Sequence, residues 1–330
     1  MKPRPTVLLT RRLPDAAIER IRSECDLRFD EHDRALSEDQ LVDRVVGCRG
    51  VVCLLTDRIT ARVVRAEPDL AVIANVAAGF NNIDVPAATA AGVMVTNTPG
   101  VLTGTTADLA FALLMAAARR VVEADRFARE GRFAGWEMDM MLGVDVHGAT
   151  LGIIGMGRIG EAVAHRGHAG FGMRVLYHDV DRRPDLERES GYEFCSVDDL
   201  LAQSDFVSLH VPLTDRTRHL LRAPELARMR PTAVLINTSR GPVVHEEALA
   251  AALANGTIRA AGLDVFEDEP AIHPALRNLP NVVLTPHIGS ASIRTRTAMA
   301  MMAVDNLLAA LRGETPPRLI NPEVLRPADP

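Results

Sequence analysis

Three polar side chains in the last third of the sequence could together reduce a carbonyl group. Arg240 follows an apolar run at 233–237, Glu269 closes an acidic stretch after residues 259–265, and His287 follows a run at 282–285. If these runs are parallel strands, their carboxyl ends meet at one edge of a sheet, where open α/β sheets bind ligands. A carbonyl that accepts a hydride develops negative charge on its oxygen, so it needs a proton donor and a nearby cation.

Each of these residue types suits one part of that chemistry. A histidine titrates near neutral pH, so His287 could give up and regain the proton. A neighbouring carboxylate favours the imidazolium form, and the planar guanidinium of Arg240 could hold a substrate carboxylate and polarise its carbonyl. A single histidine at a strand end is usually structural, and an acid before proline often belongs to a turn. Three such residues beside a nucleotide-binding pattern predict a site that reduces a 2-oxo acid.

The nucleotide-binding pattern lies at 151–160, which reads LGIIGMGRIG. An apolar run precedes Gly155, Gly157 and Gly160, in the spacing G-x-G-x-x-G, and a helical pattern follows. The first glycine permits a tight turn, the second lets the backbone approach a pyrophosphate, and the third lets the helix pack close to the strand. Asp179 ends the next strand, about 20 residues further on, where a group that binds the adenosine ribose is expected. A turn-capping aspartate is the alternative.

Composition narrows the class of protein. The chain has 330 residues, enough for two domains, and a net charge of −6, which predicts no nucleic-acid or anionic membrane partner. No stretch reaches the roughly 20 apolar residues of a membrane span, and the N-terminal apolar run is too short for a signal peptide. The four cysteines form no C-x-x-C pair and no cluster with metal-ligand spacing. We therefore expect reduced thiols, no metal site and a cytoplasmic protein.

Strands alternate with helices along both halves of the chain, which predicts parallel sheets. We expect an α/β protein with two Rossmann-like or flavodoxin-like parallel-sheet domains and an active-site cleft between them. Residues 1–100 and 291–330 are predicted to form the substrate-binding, catalytic domain. Residues 101–290 are predicted to form an inserted NAD(P)-binding Rossmann domain.

A long apolar helix at 105–130 and an irregular, Met-rich arm at 131–148 interrupt this alternation. The helix is apolar on nearly every face, which indicates burial between domains or subunits. The arm contains Trp136, and either packs on a partner subunit or forms a surface loop that buries its own methionines.

Four motifs, GMGRIG, LINTSRG, GLDVFEDEP and LTPHIGS, follow one another in this order. On these residues the chain resembles the D-isomer-specific 2-hydroxyacid dehydrogenases over nearly its whole length. CLLTDRI at 53–59, NVAAGFNNID at 75–84 and NTPGVLTGTTADLAFALL at 97–114 are similar to the glyoxylate/hydroxypyruvate reductase branch. The resemblance implies NAD(P)H-dependent reduction of glyoxylate or hydroxypyruvate, D-specific where the product is chiral. It also implies a homodimer built on a dimerisation helix and arm within 105–148.

The resemblance also implies roles for single residues. Arg240 would bind substrate, Glu269 would pair with His287, and His287 would be the acid/base. The remaining substrate contacts would come from one side chain and two backbone N–H groups, those of Leu55, Ala78 and Gly79. Cofactor contacts would come from the three glycines of the nucleotide pattern and from Thr106, Arg158, Ile159, Asp179, Val211, Pro212, Thr217, Thr238, Ser239, Asp264, His287 and Gly289.

The residues after the second strand of the nucleotide pattern bear on cofactor choice. Asp179 would accept hydrogen bonds from a free ribose 2′-hydroxyl and repel a 2′-phosphate, whereas NADP-using relatives usually carry a small neutral residue followed by Arg. Arg182 and Arg183 could soften that repulsion. We therefore predict NAD(H) as the preferred cofactor, with NADP(H) possible.

Several other functions remain open. A D-3-phosphoglycerate dehydrogenase or another D-2-hydroxyacid dehydrogenase would share these motifs. A phosphite dehydrogenase would carry Lys in place of Ala78, and a formate dehydrogenase would lack Glu269. A protein of another class, an NAD(H)-sensing, corepressor-like binding protein, could use the same scaffold. The complete Arg–Glu–His set favours the enzyme.

Overall fold

The computed structural model describes residues 3–29 and 32–325. The few residues of the predicted catalytic domain at 1–2, 30–31 and 326–330 lie outside the described residues. The chain divides into two compact units, Met1–Leu102 with Ser290–Pro330, and Thr103–Gly289. We call them the five-stranded unit and the seven-stranded unit, after the sheets formed by their described residues.

The described residues of the five-stranded unit form one parallel sheet in the order β2-β1-β3-β4-β5, which is the flavodoxin-like order. Its strands are β1 (Thr6–Leu9), β2 (Asp26–Phe29), β3 (Gly50–Cys53), β4 (Val72–Asn75) and β5 (Met94–Thr96). Every residue of β3 and β4 is buried, as expected of parallel strands that are covered on both faces.

Three of the first four helices of the five-stranded unit begin at a capping side chain, and the first begins after Pro14 without one. The first four are α1 (Asp15–Glu24), α2 (Glu38–Val45), α3 (Ala61–Arg65) and α4 (Val85–Ala90). Ser37 followed by Gln40 three residues later predicts a capping box at the start of α2. The structure has it: Ser37 Oγ accepts from the Gln40 backbone N–H, and Gln40 Oε1 accepts from the Ser37 backbone N–H. The edge strand β2 was not predicted, because it is short and half exposed.

The seven-stranded unit, all of whose residues are described, has the strand order β12-β11-β10-β9-β6-β7-β8. Its strands are β6 (Thr150–Ile154), β7 (Arg174–His178), β8 (Glu193–Phe194), β9 (Phe206–Leu209), β10 (Val234–Asn237), β11 (Ala260–Leu263) and β12 (Val282–Leu284). This is the Rossmann order with an added strand, and the order reverses between β6 and β9, where such sheets bind a nucleotide. The prediction of two parallel-sheet α/β domains is therefore confirmed.

The helices of the seven-stranded unit cover both faces of its sheet. They are α5 (Thr103–Ala118), α6 (Val121–Arg129), α7 (Arg158–His165), α8 (Pro184–Ser190), α9 (Val197–Gln203), α10 (Ala223–Leu226), α11 (Glu246–Ala254) and α12 (Pro274–Asn278). A π-helical turn at Arg166–Gly170 extends α7, and a 3-10 turn spans Gly241–Val243.

The single helix predicted over 105–130 is wrong, because the chain breaks between α5 and α6. Arg120 has φ 54°, in the left-handed region, and its guanidinium holds Glu123 through two bonds of 2.6 and 2.9 Å. The end of α5 is occupied by the returning arm, since the Ala118 carbonyl accepts from the Val144 backbone N–H at 3.0 Å. A Cβ at Gly143 would lie 2.3 Å from that carbonyl oxygen, so the close approach needs glycine.

The arm does not bury all of its own apolar side chains. Trp136 is 75% exposed and Met138 is 79% exposed, and Phe133 and Leu142 are also exposed. The interpretation of the arm as a loop that covers its own methionines is therefore wrong for Met138.

The last helix, α13 (Ile293–Leu311), begins at the Ser292 cap and packs on β3 and β4 of the five-stranded unit. A Cβ at Gly50 would lie 2.7 Å from a Leu307 methyl group, so strand and helix are in direct contact. All four cysteines are free thiols. None of the helices within 3–29 and 32–325 has the length and apolar character that crossing a bilayer requires. Within the same ranges, no cluster of His, Cys, Asp or Glu side chains is arranged to hold a metal ion.

Candidate active site

Three adjacent strands of the seven-stranded unit place the predicted reacting side chains at their carboxyl ends. Arg240 follows β10, Glu269 follows β11 and His287 follows β12. His287 Nδ1 lies 2.8 Å from Glu269 Oε2. The other carboxylate oxygen, Oε1, accepts from the Phe266 backbone N–H at 3.0 Å. Glu269 is therefore held by its own loop, and the histidine is held by Glu269.

The backbone of the His287 loop is fixed by Asp264, which is almost fully buried. Asp264 Oδ1 accepts from Thr285 Oγ1 at 2.6 Å and from the Ile288 N–H at 2.8 Å, and Oδ2 accepts from the Gly289 N–H at 2.8 Å. His287 has φ 52°, a left-handed conformation that is unfavourable for histidine. These bonds therefore support a backbone conformation that would not persist in isolation.

The charges around Glu269 keep it ionised. Burial alone would raise the pKa of this carboxyl, but the hydrogen bond and charge of His287, the Phe266 N–H and the Arg240 charge outweigh burial and lower the pKa. Burial lowers the pKa of Arg240, and the Glu269 charge opposes that effect. An arginine keeps its proton in either case. The site therefore presents an anion that can stabilise a protonated imidazole, with a fixed cation nearby.

The three glycines of the nucleotide pattern form the turn from β6 into α7. Gly155 has φ 98°, and a Cβ there would lie 2.7 Å from the His210 carbonyl carbon. A Cβ at Gly160 would lie 2.0 Å from the Gly155 carbonyl oxygen, whereas one at Gly157 would meet no protein atom within 4 Å. Gly157 caps α7 without any side-chain hydrogen bond. The first N–H groups of that helix are thus available to an anion such as a pyrophosphate.

Asp179 lies at the end of β7, beside this turn. Its Oδ2 accepts from the Met156 backbone N–H at 2.6 Å, and its Oδ1 accepts from the Val180 N–H at 2.7 Å. The carboxylate is therefore oriented at the glycine-rich turn, and it retains lone pairs that could accept from ribose hydroxyls.

The two arginines that follow Asp179 are already paired. Arg182 makes a bidentate pair with Glu187, at 2.7 Å in each bond. Arg183 bonds Asp185 at 2.7 Å and Glu161 at 3.2 Å. These guanidinium groups are held by neighbouring carboxylates, so neither is poised solely for a 2′-phosphate.

The other predicted cofactor contacts lie along the same edge of the sheet. The buried Thr238 hydroxyl oxygen has no hydrogen-bond partner among the described residues, which fits a site where a ligand would supply one. Ser239 Oγ donates to Asn237, and Thr217 Oγ1 donates to the Pro212 carbonyl at 2.6 Å. Arg158 and Ile159 form the first turn of α7, and Val211 lies just after β9. Thr106 of α5 lies close to Gly289 in the loop after β12. Together these features fit a dinucleotide.

The predicted substrate residues Leu55, Ala78 and Gly79 belong to the five-stranded unit. Asparagine side chains that we did not single out from the sequence hold their loops in place. Asn75 Nδ2 donates to the Gly79 carbonyl at 3.0 Å, and Asn97 Nδ2 donates to that of Ala78 at 2.7 Å.

A third amide extends this network. Asn82 Nδ2 donates to the Leu54 carbonyl at 3.0 Å, and its Oδ1 accepts from Asn75 Nδ2 at 3.1 Å. The signal available in the sequence was the density of asparagines in NVAAGFNNID, but sequence alone does not say which carbonyls they bind.

The family model for the D-isomer specific 2-hydroxyacid dehydrogenase NAD binding domain matches residues 111–289. A glyoxylate reductase of Korarchaeum cryptofilum is 54% identical over 99% of this chain and 98% of that protein. The chain belongs to the D-isomer-specific 2-hydroxyacid dehydrogenase family. A glyoxylate reductase of Thermococcus onnurineus is 48% identical over 98% of this chain and 97% of its own length. The resemblance to the glyoxylate reductase branch is thereby confirmed, and this dehydrogenase is an NAD(P)-dependent oxidoreductase.

Solved structures agree with this assignment. A Thermus thermophilus protein is 45% identical, with a TM-score of 0.89, over 96% of this chain and 99% of its own. An NADPH-dependent glyoxylate/hydroxypyruvate reductase of Sinorhizobium meliloti, solved with NADP and malonate, is 32% identical with a TM-score of 0.86. That match covers 99% of this dehydrogenase and 100% of the other chain.

Proposed function

We propose that this dehydrogenase reduces glyoxylate, and also hydroxypyruvate, at C2 to the 2-hydroxy acid, D-specifically where the product is chiral. The observation that carries the proposal is the contact between His287 and Glu269, one strand away from Arg240, in a chain similar to glyoxylate reductases. A bound NADH supplies the hydride, with both electrons. The residues of the chain must therefore supply a proton and hold the acid.

His287 provides the proton in this mechanism. With Nδ1 directed at Glu269, the atom left to donate is Nε2, which gives its proton to the carbonyl oxygen as the hydride arrives at C2. Ionised Glu269 stabilises the imidazolium beforehand and orients the ring. After reduction the new hydroxyl holds that proton, and the neutral imidazole regains one from solvent.

Arg240 is the proposed cation that binds the substrate. The guanidinium would bind the carboxylate and the carbonyl oxygen, where its fixed charge stabilises the developing alkoxide. The backbone N–H groups of Ala78 and Gly79 would bind the carboxylate, and Leu55 would line the pocket. The asparagine bonds to the Ala78 and Gly79 carbonyls support this role, because they fix the backbone that carries those N–H groups.

A histidine substitution tests the mechanism. In His287→Ala, we expect the kcat for glyoxylate, followed as NADH absorbance at 340 nm, to fall by about 10² to 10⁴-fold, since the proton donor is lost. The Kd for NADH, from fluorescence titration, should stay within about twofold on the same argument. His168→Ala, which removes a histidine from the π-helical turn, is the control and should retain kcat. Loss of NADH binding together with turnover would mean that His287 is structural.

A substrate panel separates the remaining functions. Wild-type enzyme should turn over glyoxylate and hydroxypyruvate with a higher kcat/KM than the phosphorylated 2-oxo acid that a phosphoglycerate dehydrogenase would accept. The reverse order would favour that dehydrogenase. NADH binding without turnover of any 2-oxo acid would instead indicate a nucleotide-sensing binding protein.

NADH is the preferred cofactor in this proposal. The orientation of Asp179 and the carboxylate partners of Arg182 and Arg183 support it. We expect a higher kcat/KM with NADH than with NADPH. Asp179→Ser should narrow that difference by about tenfold or more, because it removes a like charge from the 2′-phosphate. A wild-type enzyme that prefers NADPH would contradict the assignment.

The proposed assembly is a homodimer in a reducing, cytoplasmic compartment. The exposed apolar residues of α6 and the arm, Val121, Phe133, Trp136 and Met138 among them, support a partner surface. Trp136 is the one tryptophan of the sequence, so its emission should shift on dilution through the dimer Kd. Light scattering that gives a monomer mass at micromolar concentration would contradict the dimer. The free thiols support the compartment. The net charge of −6 supports the proposal that the protein has no nucleic-acid partner.

A further inference from the structure

A cluster of ionisable side chains next to the reacting groups has no part in the mechanism above. His219 Nε2 lies 2.5 Å from Glu267 Oε1. The Glu267 backbone N–H donates to Glu246 Oε1 at 2.6 Å, and the Glu246 N–H donates back to Glu267 Oε2 at 3.1 Å. Glu267 is two residues before Glu269, so this cluster, which we call the loop clamp, holds the segment that carries the partner of the catalytic histidine.

The loop clamp also binds the segment that follows Arg240. The His219 backbone N–H donates to the Pro242 carbonyl at 2.7 Å, and the Leu221 N–H donates to that of Val243 at 3.2 Å. One histidine therefore bonds the Arg240 segment through its backbone and the Glu269 segment through its ring.

The two bridged segments lie in direct backbone contact. A Cβ at Gly241 would lie 1.8 Å from the carbonyl carbon of Phe266, so only glycine fits next to Arg240. The N–H of the same Phe266 donates to Glu269. A shift of this segment would therefore move Glu269 relative to both Arg240 and His287.

Further contacts keep His219 in place. Its φ is 50°, in the left-handed region, and its ring meets that of His245 edge-on with centroids 4.9 Å apart. Burial would raise the pKa of Glu267, but the bonds from the Glu246 N–H and His219, with the charges of His219 and His245, outweigh it and lower the pKa. The carboxylate is thus ionised at neutral pH and can accept all of its bonds.

We infer that His219 and Glu267 are positioning residues for the reduction, which set the spacing between Arg240 and the Glu269–His287 pair. This inference rests on the proposed function for its kinetic consequences. The geometric part, that the clamp holds Glu269 against His287, can be tested without turnover.

His219→Asn is the informative variant. Asparagine tolerates the left-handed backbone but is too short to reach Glu267. We expect kcat/KM for glyoxylate to fall by about tenfold to a hundredfold, chiefly in kcat, because the reacting groups lose their spacing. The acidic limb of the pH profile should move to higher pH, since the pKa of Glu269 rises when its contact with His287 loosens. Glu267→Ala should behave alike, and Glu267→Gln, which keeps an acceptor for His219, should recover part of the loss.

A second histidine with comparable contacts distinguishes positioning from simple stability. His168 is more exposed than His219, but one of its ring nitrogens lies 3.3 Å from a backbone carbonyl and its ring makes an edge contact with Tyr192. His168→Asn should lower Tm without moving the acidic limb. If His219→Asn also lowers Tm but leaves the acidic limb and kcat unchanged, the inference is wrong.

Nuclear magnetic resonance of histidine-labelled protein supplies the readout that is independent of activity. The hydrogen-bonded Nδ1 proton of His287 should give a downfield signal that broadens or disappears in His219→Asn and persists in His168→Asn. An enzyme inactive with every 2-oxo acid would overturn the proposed function and still permit this test. An unchanged His287 signal in His219→Asn would overturn the clamp.

Discussion

The first turn after a strand differs sharply between the two units, although both are parallel sheets with helical crossovers. After β1, Thr10 is fully buried and its hydroxyl donates to the buried Asp57 at 2.5 Å. After β6, the glycines of the turn have no side chains to cover the backbone, and α7 begins at Gly157 without a side-chain cap. One turn is closed by its own side chains, and the other leaves N–H groups for a ligand.

The contrast does not extend to every strand end. In the five-stranded unit, buried amides such as Asn75 bond to loop carbonyls, but the buried hydroxyls of Thr96 and Thr98 have no partner among the described residues. The buried Thr238 hydroxyl of the seven-stranded unit has none either. The two units therefore differ in how the first turn is built, rather than in topology.

The largest effect that would test this comparison is at the glycine-rich turn. A methyl group at Gly160 would overlap the Gly155 carbonyl oxygen, so Gly160→Ala should destabilise the fold by about 1–3 kcal/mol. The same variant should bind NADH about a hundredfold more weakly or worse, which is the order of effect seen for a misplacement of about 1 Å. The added Cβ of Gly157→Ala would meet no protein atom within 4 Å, so this variant should keep its Tm but bind NADH more weakly. Thr10→Ala, at the other turn, should leave the NADH Kd unchanged. If Gly160→Ala binds NADH as tightly as the wild-type enzyme, the proposed difference between the glycine-rich turn after β6 and the turn after β1 is wrong.

A smaller effect is expected where amides hold the substrate loops. Asn75→Ala removes the side-chain donor from the Gly79 carbonyl and from Asn82 Oδ1, which should lower stability by about 1–3 kcal/mol. The KM for glyoxylate should rise by about tenfold, of the order of one lost hydrogen bond to a charged group, with an unchanged NADH Kd. Asn255→Ala, at the end of α11, is the control and should change neither constant. A raised NADH Kd in Asn75→Ala would show that the two units do not divide the ligands as proposed.

Ionisable groups with shifted pKa values should make the stability of the two units depend on pH in opposite directions. Burial lowers the pKa of His210 to about 3 from its ordinary 6.5. Below pH 6.5 the unfolded chain therefore binds a proton at His210 that the folded chain does not bind. The free energy of unfolding should fall as the pH is lowered from 6.5 towards 3. The slope should be at most about 1.4 kcal/mol per pH unit. Urea midpoints between pH 4 and 7 should show a shallower slope in His210→Asn, and an unchanged slope would exclude this origin.

Asp57 should act in the opposite direction in the five-stranded unit. Burial raises its pKa, although bonds from Thr10 and the Leu54 N–H oppose the shift. Its folded form holds a proton more firmly than the unfolded chain. The stability it contributes is thus present at low pH and lost as pH rises through its folded pKa. Asp57→Asn should remove that dependence from the same urea series.

The smallest effect concerns the thiols. Cys25, Cys48 and Cys53 of the five-stranded unit are buried, and burial raises the pKa of Cys25 to about 11. Cys195 of the seven-stranded unit is partly exposed. Ellman's reagent should label Cys195 first in native protein, and Cys195→Ser should abolish that phase while kcat stays unchanged. Rapid labelling of a second thiol would show that the five-stranded unit opens more readily than its packing indicates.

Prediction from sequence succeeded where a local pattern decides the structure. Apolar periodicity and flanking polar residues predict helices at Val197–Gln203 and Glu246–Ala254. They also predict strands at Arg174–His178 and Phe206–Leu209, and the structure has all four elements with these limits. The edge that gathers Arg240, Glu269 and His287 was also predictable, since parallel strands end on the same side.

Prediction failed where distant segments decide the structure. The break at Arg120 depends on the arm returning to the end of α5, which no window of sequence reveals. His219 and Glu267 are 48 positions apart in the sequence. Residues 267–269 are all acidic, and only the folded structure determines that Glu267 contacts His219 whereas Glu269 contacts His287. Tertiary contacts of this kind have no periodicity to detect.

The division of the chain has a consequence for biosynthesis. Helix α13, which packs on β3 and β4, leaves the ribosome only after the whole of Thr103–Gly289 has been made. Until then the apolar face that receives Leu307 next to Gly50 is uncovered, while the inserted unit already has every segment it needs to fold. A released chain that ends before Ile293 should therefore contain every segment of the inserted unit, but its β3 and β4 would lack the helix that covers them.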